Sequence, residues 1–199
     1  MSRAWQYSGV ARPRAESTPD GARWYPPPVT SELREQFARL YGAEPAVILR
    51  APGRVNLIGE HTDYSGLPVL PIAIDRGTTV AVSANESGVV RASSSSFAPA
   101  AELPRAHPGH PSTPWHGYLA GALRELAHIA PGAGANVFIA SDLPAQGGLS
   151  SSSALTVALV AGLAAAWGEP LVGTSRVPEG GVDTVKSAVA PLKPLTCSV

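Results

Sequence analysis

The sequence predicts a turn-rich fold that mixes helices with strands, and three observations predict it. Two stretches carry apolar residues at helical spacing and a third is a continuous 14-residue apolar run, Ala154 to Trp167. Between them lie short runs rich in β-branched residues. The 20 glycines and 20 prolines are too many for a helical bundle. At 199 residues, 44% hydrophobic and 15% charged, the chain suits one domain with a sizeable core.

Taken in order, residues 1–30 are rich in Arg, Pro and Ser, end near Pro26-Pro27-Pro28 and show no apolar face, which predicts a mobile or surface-lying leader. The spacing of Leu33, Phe37 and Leu40 then predicts an amphipathic helix. Thr30 or Ser31 is its N-cap, Glu32 and Glu35 lie in its first turn, and Gly42 is its stop. Ala46 to Leu49 is a brief strand running into a polar segment. Val69 to Ile74 and Thr78 to Ala84 are extended, and a turn at Asn85 to Gly88 leads into Val89 to Ser93, as in a hairpin or meander. Ala98 to Pro114, with five prolines and two histidines, reads as a surface loop.

Thr113 and Pro114 open the next helix as N-cap and first helical position, with Trp115, Leu119, Ala122, Leu126 and Ile129 on one stripe and Pro131-Gly132 as the stop. Asn136 to Ser141 is a strand, followed by a Gly/Ser loop and the Ala154 to Trp167 helix. That run falls short of the roughly 20 residues needed to cross a bilayer, so it reads as a buried helix. Beyond Gly168 no clear face remains.

The charge balance is neutral, with 15 basic and 15 acidic residues. It offers no field for nucleic acid or an anionic membrane, so neither is expected as a partner, and any anion must be held by local geometry. Nothing in the first 25 residues reads as a secretory signal. The single cysteine, Cys197, excludes an internal disulfide and a cysteine metal cluster, and a cytoplasmic setting is expected.

The Gly147-Gly148-Leu149-Ser150-Ser151-Ser152-Ser153 segment stands between a strand and an apolar helix. Glycines there let backbone amides turn toward one point, and the helix start adds unpaired donors and the positive end of its dipole. Such a loop suits nucleotide phosphates, with serine hydroxyls as extra donors and one oxygen for a magnesium ion. The competing reading is structural: serines cap the helix and glycines relax a tight turn. A Walker Gly-x-x-x-x-Gly-Lys-Ser/Thr, a Gly-x-Ser-x-Gly elbow and a Rossmann Gly-x-Gly-x-x-Gly are all absent.

A second cluster, Glu60, His61, Thr62, Asp63 and Tyr64, packs two carboxylates, an imidazole, a hydroxyl and a phenol behind Gly59. It can bond several hydroxyls at once, as a sugar ring requires. Its rivals are a polar turn with exposed charges and a metal site, the latter weakened by the lack of a second histidine at suitable spacing. Arg54, behind Pro52-Gly53, would place a fixed positive charge beside the same pocket.

Together these segments resemble the galactokinase branch of the GHMP small-molecule kinases. Gly53 through Tyr64, followed by Val69 to Asp75, resembles the galactokinase signature, and Leu143-Pro144 through Ser153-Ala154-Leu155 resembles the family's nucleotide loop. The Trp115 to Leu123 segment is similar to a weaker feature between them. The resemblance covers Ser31 to Gly168. It implies an α+β fold, the GHMP kinase amino-terminal domain (ribosomal protein S5 domain 2-like) without its carboxy-terminal domain. The implied activity is an ATP- and magnesium-dependent phosphorylation of galactose, or a close relative, at the anomeric hydroxyl.

By position, Glu60, His61 and Asp63 would bind sugar hydroxyls, Thr62 would complete that loop, and Arg54 would stabilise charge near the reacting oxygens. Gln146, Gly147, Gly148, Leu149, Ser150, Ser151 and Ser152 would wrap the ATP phosphates, with Ser152 nearest the Mg2+ ion. Two departures matter. The four-serine loop with Pro144-Ala145-Gln146-Gly147 is closer to the N-acetylgalactosamine kinase form, which leaves the sugar open. The family's Gly-x-Met-Asp-Gln-like motif, whose aspartate is the proposed base, and its magnesium-holding glutamate are not recognisable. The expected division is therefore a leader over 1–30, the kinase amino-terminal domain over 31–168 and a divergent tail over 169–199, in a chain truncated or frameshifted after residue 168. A non-catalytic sugar- or nucleotide-binding regulator is the alternative function.

Overall fold

The computed structural model describes residues 29–59, 69–111, 113–144, 148–169, 174–175 and 183–185. Apart from Val29 and Thr30, the expected leader lies outside the described residues, as does most of the tail. The elements are α1 (Val29–Tyr41), β1 (Val47–Ile58), β2 (Leu70–Asn85), β3 (Val89–Ser94), β4 (Ala101–Pro104), α2 (Pro114–Glu125), β5 (Gly134–Ser141), α3 (Ser151–Ala166), β6 (Thr174–Ser175) and β7 (Asp183–Val185).

The strands form one mixed sheet in the order β4-β3-β5-β2-β1-β7-β6. On one face α2 and α3 bury Leu119, Leu123, Leu155, Leu159 and Leu163 against Leu49, Val80, Val82, Val90, Val137 and Ile139. On the other face α1 buries Leu33 and Phe37 against Ile48, Ala81 and Phe138. The period-2 alternation of β1, β2 and β5 thus sends adjacent residues to two different helix layers. This is the expected α+β architecture.

Several element expectations change. Helix α1 starts two residues before Ser31, so Thr30 and Ser31 stand inside it. Leu40, placed on the apolar stripe, is 53% exposed, because the sheet beneath α1 is already covered by Leu33 and Phe37. Gly42 does end the helix, at φ 70° and with its amide on the Ala38 carbonyl at 2.8 Å.

The brief strand ending at Leu49 is instead a 12-residue strand that runs through Pro52-Gly53 to Ile58. Proline is tolerated because Pro52 faces Gly77 where the register shifts before Arg54. The two extended segments after Val69 are one strand, β2. Its first half and the end of β1 project beyond the helices, exposing Leu57, Ile58, Leu70 and Ile72.

The expected hairpin across Asn85 to Gly88 does not form, because β5 lies between β2 and β3, antiparallel to the first and parallel to the second. Asn85 holds this insertion through its side-chain amide, which donates to Asn136 Oδ1 at 3.1 Å. The proline-rich loop contains β4, whose Ala101 and Leu103 are buried. Helix α2 ends at Glu125, and Leu126 and Ile129 reach the core from the turn beyond it. In the tail, β6 pairs with β7, and β7 pairs in parallel with β1 at Leu49 and Arg50.

Candidate functional site

The site is built where β1, β2 and the start of α3 meet. At Gly53 the β1–β2 register shifts, and the next amide, that of Arg54, turns from the ladder to donate to the Leu149 carbonyl at 3.1 Å. The two segments singled out in the sequence are therefore joined backbone to backbone. Only glycine fits at position 53, since a Cβ there would stand 2.5 Å from Leu143 Cδ2 and 3.0 Å from Leu149 O. Arg54 itself is exposed, leaving its guanidinium open to a ligand.

The loop enters α3 through two left-handed residues, Gly148 at φ 70° and Ser150 at φ 57°. Ser150 makes no side-chain cap bond, so the reading of the serines as helix caps fails at the position that would carry it. The first bond of α3 runs from the Ala154 amide to the Ser150 carbonyl at 3.0 Å. The amides of Ser151, Ser152 and Ser153 precede it, and among the described residues they have no helical carbonyl to bond. Three such donors at the positive end of a 16-residue helix suit an anion. Ser152 is exposed, with its carbonyl accepting from Thr156 Oγ1 at 2.9 Å.

These residues fit ATP phosphates. Among the described residues no cluster of three His, Cys, Asp or Glu stands ready for a metal. The exposed Ser152 hydroxyl would be one ligand for a magnesium ion, beside oxygens of the phosphates, which is how Mg2+ is commonly held.

The start of the loop is tied down separately. Asp142, the first residue after β5, accepts the Gly77 amide at 2.5 Å and the Arg50 guanidinium at 2.8 Å, while its own amide donates to the Gly77 carbonyl at 3.2 Å. Arg50 also donates to the Asp75 carbonyl at 3.0 Å and to Thr79 Oγ1 at 3.2 Å. Sequence reasoning missed both residues. The available signal was a lone arginine closing an apolar strand and an aspartate closing another. It also passed over Asn56, two residues beyond Arg54, whose Oδ1 is buried without a partner among the described residues.

Glu60, His61, Thr62 and Asp63 lie outside the described residues, as do Gln146 and Gly147. The first four belong to the connection between Ile58 and Leu70, which pair with each other. Of the expected site residues, Arg54, Gly148, Leu149, Ser150, Ser151 and Ser152 are described. The Arg54–Leu149 bond brings the first of these against the loop that holds the rest. No helix of the described residues is long and apolar enough to cross a membrane.

Comparison with known proteins matches residues 35–84 to the galactokinase galactose-binding signature and residues 117–179 to the GHMP kinases N terminal domain. A galactokinase of Roseiflexus sp. is 46% identical over 133 residues, which is 65% of this chain and 34% of that protein. The chain spans about a third of the length of the curated relatives it matches. Among solved structures, Lactococcus lactis galactokinase complexed with galactose superposes with a TM-score of 0.64 at 30% identity, covering 72% of this chain and 39% of that one. Methanococcus jannaschii mevalonate kinase shares the fold, with a TM-score of 0.56 at 20% identity over 64% of this chain and 42% of that one.

Proposed function

We propose, from the premise that this chain belongs to the galactokinase family of the GHMP kinases, that it holds the sugar and nucleotide of an ATP-dependent galactose kinase. In that reaction the anomeric hydroxyl oxygen bonds the γ-phosphorus of ATP as the bond to the bridging oxygen breaks. ADP leaves, galactose 1-phosphate forms, and the hydroxyl proton passes to a base. Glu60, His61, Thr62 and Asp63 orient the sugar, and Arg54 offsets charge on the reacting oxygens. Residues 146–152 grip the phosphates, and Ser152 is the hydroxyl for Mg2+. The metal supplies charge neutralisation on the phosphates. The protein's share is mainly positioning and electrostatics. The cytoplasm is the setting this chemistry suits.

The observation that supports this reading best is the Arg54–Leu149 hydrogen bond, which sets the sugar-signature strand beside a helix start whose first three amides have no helical partner among the described residues. Titration calorimetry with galactose, N-acetylgalactosamine and MgATP tests it. Binding of MgATP and of one of the two sugars is expected, and the preferred sugar settles the specificity that the four-serine loop leaves open. A chain that binds neither sugar nor nucleotide sinks the reading.

Among these 199 residues no Gly-x-Met-Asp-Gln-like motif is recognisable, so the 199-residue chain by itself is expected to bind without turning over. Sugar phosphate formed above a no-protein control, and abolished by Arg54→Ala, would overturn that expectation.

A further inference from the structure

A charged side chain in the interior costs stability unless it is paired and its hydrogen bonds are satisfied. Arg50 is such a group. It follows Val47-Ile48-Leu49 on β1, its side chain is 10% exposed, and its guanidinium is engaged by Asp142, the Asp75 carbonyl and Thr79. Every one of those partners is on β2 or at the exit of β5. The pair therefore stitches three adjacent strands together at one point.

That point is the start of the phosphate loop. The last β2–β5 ladder pair is Thr78 with Ser141. One residue on, Asp142 leaves the strand yet keeps two bonds to Gly77, one through its backbone amide and one through its carboxylate. The second carboxylate oxygen takes Arg50. At its other end the loop is tied by Leu149 to the Arg54 amide, four residues along the same strand. Asp142 and Leu149 are thus both held by β1, the first through the Arg50 side chain and the second through the Arg54 amide.

We propose that Arg50 and Asp142 are positioning residues for nucleotide binding: through their ion pair they set where the phosphate loop begins, and Arg50 keeps the Asp142 carboxylate from opposing an anionic ligand. The inference rests on the reading of residues 146–152 as the nucleotide loop. The effect of Arg50 and Asp142 is exerted through the position of Asp142 and through charge.

The two parts of the role separate experimentally. Arg50→Met removes the tie and leaves a lone carboxylate beside the loop. Asp142→Asn keeps an acceptor for the Gly77 amide but gives up the ion pair, and Arg50→Met/Asp142→Asn removes both charges. Each variant of the full 199-residue chain is titrated with MgATP by calorimetry, well below its melting temperature. Leu33→Ala is the control, a core cavity beneath α1 on the far face.

About a tenfold loss of MgATP affinity is expected for Arg50→Met, with a smaller loss for Asp142→Asn. The double variant should bind more tightly than Arg50→Met, and Arg50→Lys should restore part of the affinity. Leu33→Ala should stay within about twofold of wild type despite its lower melting temperature. A merely structural role would instead let affinity follow stability, with the double variant no better than Arg50→Met, and that result overturns the proposal. If Arg50→Met does not fold, Asp142→Asn and Arg50→Lys decide alone, and wild-type affinity in both is equally fatal. Wild-type chain that fails to bind MgATP sinks the nucleotide reading itself, whereas wild-type binding with unaffected variants sinks only the role of this pair.

Discussion

Gly53 lies against Leu143 so closely that a Cβ added to the glycine would stand 2.5 Å from Leu143 Cδ2, with Leu149 O at 3.0 Å and Ile74 Cδ1 at 3.1 Å. The sugar-signature strand and the Gly/Ser loop are in contact with no room for a methyl group. Gly53→Ala should therefore destabilise the chain by about 1–3 kcal/mol, the usual range for overpacking. It should also weaken MgATP binding, because the Leu149 carbonyl must withdraw from the Arg54 amide. Urea unfolding followed by a MgATP titration reads both effects. Wild-type values in each would show that the contact is loose.

The same substitution should have opposite signs at two helix positions. Alanine is favoured over glycine inside a helix by about 1 kcal/mol. At Gly121 on α2, exposed and with nothing within 4 Å, that gain is free, and Gly121→Ala should stabilise by up to about 1 kcal/mol. At Gly162 on α3 a Cβ would stand 2.8 Å from Val80 Cγ2 and 3.2 Å from Val82 Cγ2, both valines being fully buried. Overpacking there should outweigh propensity, for a net loss of about 1 kcal/mol. Chemical denaturation of the two variants side by side checks this, and shifts of equal sign would refute the close packing of α3 on β2.

What the sequence made legible, and what it hid, divides along local and non-local physics. Leu33 and Phe37, the Trp115 to Leu123 stripe and the apolar run of α3 are local patterns, and each became a helix facing the core. The insertion of β5 between β2 and β3 depends on residues such as Asn85 and Asn136, 51 positions apart, and nothing in the turn at Asn85 to Gly88 signals it. Gly53 fell in the polar segment expected after the brief strand at Ala46 to Leu49. Its actual place is a register shift inside a long strand. At the site, Arg54 and the Ser/Gly loop stood out because motifs are contiguous. Arg50 and Asp142 did not, since an ion pair 92 residues apart in sequence leaves only two ordinary charged residues, each beside an apolar run.

Tyr41 gives the fold a pH-dependent contact. Its hydroxyl donates from the end of α1 to the Val137 carbonyl of β5 at 2.8 Å, and its ring lies 4.8 Å from that of Phe37. Burial raises the phenol above its ordinary value of 10.0, outweighing the opposite pull of Ser93 and Arg91. A raised folded-state value means that the contribution is fully present below the unfolded value and lost as pH rises through the folded one. Tyr41→Phe should cost about 1 kcal/mol near neutral pH. The gap between wild type and Tyr41→Phe should stay constant up to about pH 9 and narrow above about pH 10. Urea midpoints of both chains across that range test it, and a gap that widens with alkali would reverse the sign.

Arg105 is the second buried arginine, and its role is to finish α2. Its Nη1 donates to the Leu123 carbonyl at 2.8 Å and its Nη2 to those of Leu126 and Ile129 at 2.6 and 3.0 Å. Those carbonyls lie at and just past the end of the helix, where helical acceptors run short of partners, and that of Leu126 also accepts the Ile129 amide at 2.9 Å. The guanidinium also sits 4.2 Å from the Trp167 ring centroid, and Trp167 in turn donates to the Gly134 carbonyl at 3.1 Å. Burial lowers the Arg105 pKa from its ordinary value, and among the described residues no carboxylate pairs with it, so the carbonyls and the ring carry the charge. Arg105→Met keeps most of the volume but removes all three donors, and each charge-assisted bond to a buried carbonyl contributes about 1.5–3 kcal/mol before the cost of burying the guanidinium is subtracted. A net loss of about 3 kcal/mol is therefore expected, together with a shift in tryptophan emission as Trp167 loses its stacking partner. Arg105→Lys should recover less than half, since a single ammonium cannot reproduce the planar fork that reaches carbonyls on two sides. An Arg105→Met chain within about 0.5 kcal/mol of wild type would mean that water satisfies those carbonyls and that α2 needs no arginine to end where it does.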